Sequence, residues 1–257
     1  MRNVFGQLFA LKEVERGKFD DVGPYAREFY GIKSYMPVSG DHPGLLQIFF
    51  VNCNHADFND LNGYFYYVMP LGDACDPDWQ QKGADYEPRD LHGACSLTEG
   101  GRLPVHECVR VGIALLEVLD FLHGKNLVHR DIKPSNIIYV KNRPKLADVG
   151  LVREAPRLGE EVTQVFTFRD PLGVGTKLAD LYCLALTLYI ISTGNKVENF
   201  PTFSPTLAEQ PGFMRLDDIF CKACRPAAAE RYASAAAMLE DLRKLQGGLD
   251  GGHTRKM

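Results

Sequence analysis

Long hydrophobic runs are missing from this sequence. The most extended strongly apolar stretch, Leu181–Ile191, falls well short of a bilayer core of roughly 30 Å at about 1.5 Å per helical residue. No membrane span is expected, and the N-terminus carries no apolar stretch of secretory-signal length. An excess of positive charge is missing too. Lys and Arg number 29 against 33 Asp and Glu, a formal net charge of −4, which removes the electrostatic basis for binding nucleic acid or an anionic membrane surface. Paired cysteines are absent in a third sense: the seven cysteines are odd in number and scattered. That pattern is expected of free thiols in a reducing, cytoplasmic protein. Cys221 and Cys224 form a C-x-x-C, but no second pair stands at zinc-ribbon spacing and the segment reads as helix, so buried thiols are expected there in place of a metal or redox site. Nothing in the sequence signals an oligomeric state.

What is present suffices for one large domain or two lobes sharing a cleft, with 257 residues and 45% apolar content. Residues 7–14 read as a strand, and a Gly- and Asp-containing turn leads to an amphipathic helix from Pro24 to about Tyr35. Leu45–Val51 and Gly63–Met69, rich in aromatic and β-branched residues, read as a hairpin with a long loop. Residues 71–103 read as a mostly irregular connection. Pro104–His123 places Val105, Cys108, Val109, Leu116 and Leu119 near one helical stripe, closed by Gly124. Strands follow at Asn136–Val140 and Pro144–Ala147, then helices at about 178–193, 214–223 and 232–245. The first of these helices is apolar all round, which marks a helix at the centre of a protein. Residues 247–257 hold too little apolar content to order themselves and are expected to form a disordered tail.

The most informative segment is Leu127–Asn136, L-V-H-R-D-I-K-P-S-N. It resembles the catalytic loop H-R-D-x-x-x-x-N of the protein kinase family. Twelve residues beyond Asn136, Asp148 in A-D-V-G is similar to the Asp-Phe-Gly element of that family, with Val149 in place of Phe. Upstream, Ala10-Leu11-Lys12 looks like the A-x-K of the third kinase strand, and Glu28 in A-R-E-F-Y-G-I-K is the natural helical partner for Lys12, with Glu13 and Glu15 as nearby decoys. Asp180 in L-A-D-L-Y resembles the Asp opening the central helix of the large lobe, and Arg231 in R-P-A-A-A-E-R-Y the Arg that pairs with the Ala-Pro-Glu element.

The resemblance runs from about residue 5 to residue 246 and is nearest to bacterial Ser/Thr kinase-like proteins. It implies an α+β, two-lobed protein kinase-like fold, with a reduced antiparallel N-terminal sheet plus one helix and a mainly helical C-terminal lobe. On this reading 1–70 form a partial N-lobe, 71–103 the hinge and inter-lobe connection, and 104–246 the C-lobe. The implied reaction moves the γ-phosphate of ATP to a Ser or Thr hydroxyl of a protein substrate, with Mg2+. Asp131 would accept the hydroxyl proton and Lys133, of the Ser/Thr-kinase form, would hold the transferred phosphate. Asn136 and Asp148 would bind metal, and Lys12, positioned by Glu28, would reach the nucleotide phosphates. His129, Arg130, Asp180 and Arg231 would support the loop.

Two departures stand out. No G-x-G-x-x-G precedes Lys12, and the opening M-R-N-V-F-G-Q-L-F-A-L-K reads as the end of one strand, a turn and the next strand, so a start further upstream is expected to supply the missing strands. In F-T-F-R-D-P-L-G-V-G-T, Leu172 holds the position of the family's Glu, leaving Glu160, Glu161 or Asp170 as partners for Arg231; Thr163 and Thr167 lie in the same loop. These departures support an alternative reading: a pseudokinase or scaffold module that keeps the fold without turnover.

Overall fold

A computed structural model of the chain describes residues 1–54, 57–155, 168–173 and 175–253. The N-terminal part is β1 (Phe9–Glu15), α1 (Val22–Tyr35), β2 (Phe50–Cys53) and β3 (Tyr64–Pro70), with the three strands antiparallel in the order β1-β3-β2. Asp21 opens α1 by accepting the Gly23 N–H at 3.0 Å, which satisfies one of the free donors of a helix start. In β1 side chains alternate between the two faces. Val14 is buried on the face turned to α1, as are Phe65 and Tyr67, which stand opposite Val14 and Lys12 in the register. The apolar face of α1 (Tyr25, Phe29, Ile32 and Tyr35) is buried, and Phe29 meets Phe65 and Phe58 edge to face at 5.2 and 5.3 Å. Such aromatic pairs contribute about 0.5–1.5 kcal/mol each beyond burial.

The strand expected from Leu45 begins only at Phe50. Leu45, Leu46 and Ile48 are buried as expected of a core segment, but their backbone groups are taken by other partners. Lys145 Nζ donates to the Pro43 and Leu45 carbonyls at 2.9 Å each, and the Tyr35 hydroxyl donates to the Leu46 carbonyl at 2.8 Å. The connection over 71–103 is likewise more ordered than expected, holding α2 (Trp79–Lys82) and α3 (Leu91–Ser96). Asp90 caps α3 through the Gly93 N–H at 2.6 Å, and Leu91 and Cys95 enter the core.

The C-terminal part runs α4 (Val105–Gly124), β4 (Leu127–Val128), β5 (Ile137–Val140), β6 (Arg143–Leu146), β7 (Arg153–Glu154), α5 (Lys177–Thr193), α6 (Pro205–Ala208), α7 (Phe213–Ala223) and α8 (Ala235–His253). β5 pairs with β6 and β4 with β7, both antiparallel. Thr176 caps α5 by accepting the Ala179 N–H at 3.0 Å, and α5 is buried nearly all round, as its composition requires. The expected disordered tail is corrected in part. α8 continues through 247–253 because Leu249 packs against the core beside Gly212, where an added Cβ would come within 2.8 Å of it; residues 254–257 lie outside the described residues. No described helix is long and apolar enough to cross a membrane.

Candidate active site

The loop between β4 and β5 is held from beneath by Asp180. This buried carboxylate near the start of α5 accepts the backbone N–H of His129 at 2.8 Å and of Arg130 at 2.9 Å, and lies 2.9 Å from His123 Nε2. A buried carboxylate with several donors is a rigid anchor, because each unmade bond would cost about 1–3 kcal/mol. Arg130 takes a positive φ of 75° at this point, so the bonds to Asp180 hold a backbone turn that a non-glycine residue seldom adopts. His129 is fully buried, and that burial pushes its pKa down and keeps the ring neutral.

Beyond the turn, Asp131 lies 2.9 Å from Lys133 Nζ and accepts Asn136 Nδ2 at 2.7 Å; the same Nδ2 also donates to the Asp131 carbonyl. The Ala147 N–H donates to the Asn136 carbonyl at 2.8 Å, tying this loop to the residue before Asp148. Asp148 itself is left-handed, with φ 52° and ψ 55°.

From the other lobe Lys12 reaches Asp148 Oδ1 at 2.9 Å and Glu28 Oε1 at 3.1 Å. Glu28, and not Glu13 or Glu15, is therefore its helical partner. Burial works to lower the Lys12 pKa, but the Tyr67 ring group and the Asp148 and Glu28 carboxylates outweigh it and the net shift is upward. Burial likewise works to raise the Asp148 pKa, yet the charge and hydrogen bond of Lys12, with His129 and Lys133 nearby, bring it below the usual carboxylate value. The cleft thus holds a permanently charged ammonium facing an ionised carboxylate at neutral pH.

The sequence left the partner of Arg231 open, and the structure places Asp170 there. Arg231 Nη1 lies 2.7 Å from Asp170 Oδ2, with the two side chains 2% and 1% exposed. The carboxylate thus stands two residues before Leu172, whose own side chain is 46% exposed. The other Asp170 oxygen accepts the Leu172 N–H at 2.9 Å, so one residue both neutralises Arg231 and shapes the turn. Glu160, Glu161, Thr163 and Thr167 lie outside the described residues.

His123 and Tyr67 were missed by the sequence reading. His123 carries a weak signal in its position six residues before His129; Tyr67 carries none until the register places it opposite Lys12. Cys221 and Cys224 are free and partly buried, and burial raises both thiol pKa values, as expected of inert cysteines.

The family model for the protein kinase domain matches residues 86–203. The chain is 26% identical over 211 residues to the serine/threonine-protein kinase PknG of Mycolicibacterium smegmatis, a match covering 78% of this chain and 24% of that protein. It is 28% identical over 219 residues to the serine/threonine-protein kinase PknI of Mycobacterium tuberculosis, covering 80% of this chain and 32% of that one. The chain therefore spans about a quarter to a third of the length of these curated relatives. The crystal structure of the M. tuberculosis PknI kinase domain superposes with a TM-score of 0.63 at 21% identity, covering 93% of this chain and 85% of that domain. A small sheet with one helix, set against a helical lobe that carries H-R-D-I-K-P-S-N, defines a kinase-like protein. The chain has a protein kinase-like fold and matches the protein kinase domain over residues 86–203.

Proposed function

We propose that the chain is an ATP-dependent Ser/Thr protein kinase. The observation that carries this reading is Lys12, which spans from β1 to Glu28 and Asp148 while Asp131, Lys133 and Asn136 are gathered in the loop below. An ammonium held by two carboxylates is positioned before any phosphate arrives, so little reorganisation is left for the reaction itself.

In the transfer, the substrate hydroxyl oxygen forms a bond to the γ-phosphorus as the bond to the bridging oxygen of ADP breaks, and the hydroxyl proton passes to the Asp131 carboxylate. Lys133, 2.9 Å from that carboxylate, lies where it can offset charge on the moving phosphoryl group. Asn136 and Asp148 offer an amide oxygen and a carboxylate. These are oxygen donors of the kind Mg2+ takes when phosphates and waters complete its shell. Bound there, the cation would neutralise phosphate charge. The seven cysteines, free in the structure, suit a reducing cytoplasmic setting.

The test is transfer of radiolabelled γ-phosphate from ATP to a generic basic protein substrate. Asp131→Asn should lower the rate by about 10²–10⁴-fold while nucleotide affinity stays within a few fold; full activity in that variant would overturn the proposal.

A second reading, a nucleotide-binding or scaffold module without turnover, is favoured by one observation: Leu172, which is 46% exposed, stands where the family has its Glu. Among the described residues no glycine-rich turn lies over Lys12. Magnesium-dependent ATP binding with no transfer to any substrate would select this reading.

A further inference from the structure

A cavity of about 570 Å³ opens between the start of β1, the chain leading into β2, the linker after β3 and the β5–β6 hairpin. None of the residues assigned to the cleft lines it. One wall is apolar. Phe9 and Phe49 meet edge to face at 5.5 Å, and Phe49 leaves 43% of its surface open to solvent. The other wall is cationic, formed by Lys141, Arg143 and Lys145.

Arg143 and Lys145 are alternate residues of β6, so they stand on one face of the strand about 6.8 Å apart; Lys141 lies on the two-residue turn before them, where φ is 53° and the chain reverses. The only carboxylate among the described lining residues is Asp73. Its two oxygens are already taken by the backbone N–H groups of Lys141 at 2.8 Å and Asn142 at 2.7 Å. Lys145 spends its ammonium on two backbone carbonyls and on no acid. Its pKa is lowered, first by burial and then by Arg143 and Lys141, as expected where like charges gather without sufficient counter-charge. The wall is therefore two cations at strand spacing with a third on the adjoining turn, beside an exposed aromatic pair.

We propose that this groove docks an extended acidic peptide segment of a partner protein, its apolar anchor against Phe9 and Phe49, alternate carboxylates facing Arg143 and Lys145, and a further carboxylate reaching Lys141 on the turn. Charge complementarity selects an acidic occupant. Spacing selects an extended one, because carboxylates at every second residue of an extended chain recur at about 6.8 Å, the interval of Arg143 and Lys145 along β6. A small anion would satisfy part of the cationic row and leave the aromatic wall wet. The inference does not depend on whether the chain transfers phosphate.

The experiment is fluorescence anisotropy of a fluorescein-labelled peptide, Phe-Leu-Ser-Glu-Ser-Glu-Ser-Glu, titrated with the purified chain. Saturable binding that weakens with added salt is expected. Lys141→Glu/Arg143→Glu and, separately, Phe49→Ser should each weaken it by about tenfold or more. Lys244→Glu, on the exposed surface of α8, should leave it unchanged, and circular dichroism should show every variant folded. The same peptide with Lys in place of Glu should not compete. Absence of saturable binding would overturn the proposal. So would binding that survives Phe49→Ser and is displaced by millimolar inorganic phosphate, an outcome that assigns the cations to a small anion.

Discussion

Gly31 of α1 lies so close to Gly150 that a Cβ on Gly31 would stand 1.8 Å from the Gly150 carbonyl oxygen. The approach is reciprocal, since a Cβ on Gly150 would come within 2.5 Å of Glu28 Cγ. Two residues without side chains therefore let α1 sit directly on the turn after Asp148. That contact sets the spacing between Glu28 and Asp148, the two carboxylates that share Lys12.

Gly31→Ala should push α1 off that turn, because the clash is with backbone and no side-chain rotation relieves it. The expected stability loss is about 1–3 kcal/mol, read from urea denaturation. Nucleotide affinity should fall with it as Glu28 moves away from Lys12. Gly124→Ala, where a Cβ would meet nothing within 4 Å, is the control and should change neither.

Lys12→Met keeps the bulk of the side chain and removes the charge that Glu28 and Asp148 share. Magnesium-dependent ATP binding, followed by calorimetry, should weaken by at least about tenfold, since charge-assisted contacts are worth about 1.5–3 kcal/mol. Lys12→Arg should not restore it, because a planar fork cannot occupy the position of a compact ammonium. Unchanged binding in Lys12→Met would remove Lys12 from the site.

Removing one partner of the buried Arg231–Asp170 pair leaves the other charge without compensation. Arg231→Leu alone should cost about 3–5 kcal/mol, whereas Arg231→Leu with Asp170→Leu should cost clearly less. Denaturation of both variants and of Asp170→Leu completes a double-mutant cycle. Additive losses would show that the two residues act independently.

Acid should destabilise the chain in two stages. His129 has a lowered pKa when folded, so the unfolded chain takes up that proton more readily, and stability should begin to fall as pH drops below about 6.5. Asp148 also has a lowered folded pKa. Its contribution is present above the ordinary Asp value of about 3.9 and is lost as pH falls through the folded value. Denaturation midpoints measured from about pH 8 to about pH 2 should show both stages, and Asp148→Asn should leave the first in place while flattening the second.

Much of the helical lobe was legible in the sequence because its signals are local. The stripe of α4, the all-apolar α5 and the helix over 213–223 each follow from periodicity within one segment. The segment Leu45–Phe49 was misread as strand because apolar character reports burial, and burial does not say whether a ladder or a lysine satisfies the backbone. α3 was missed because six residues hold too little pattern to reveal a period, and its stability comes from Asp90 and from the core that receives Leu91. The extension of α8 past 246 rests on Leu249, a single apolar residue in a polar stretch whose packing partner lies in another helix segment.

For the candidate site, the resemblance of L-V-H-R-D-I-K-P-S-N and A-D-V-G to the kinase motifs singled out Asp131, Lys133, Asn136 and Asp148, since such motifs are residue types at fixed intervals along the chain and so are local patterns. The tertiary structure decided which acid faces which base. Lys12 meets Glu28 because β1 and α1 pack through Tyr67, Phe65 and Phe29, and Arg231 meets Asp170 across 61 residues of chain. The gathering of Lys141, Arg143 and Lys145 opposite Phe9 and Phe49 is likewise a product of packing. Local spacing is written in covalent geometry and survives in the sequence, whereas the pairing of charges distant in the chain depends on which surfaces the hydrophobic core brings together.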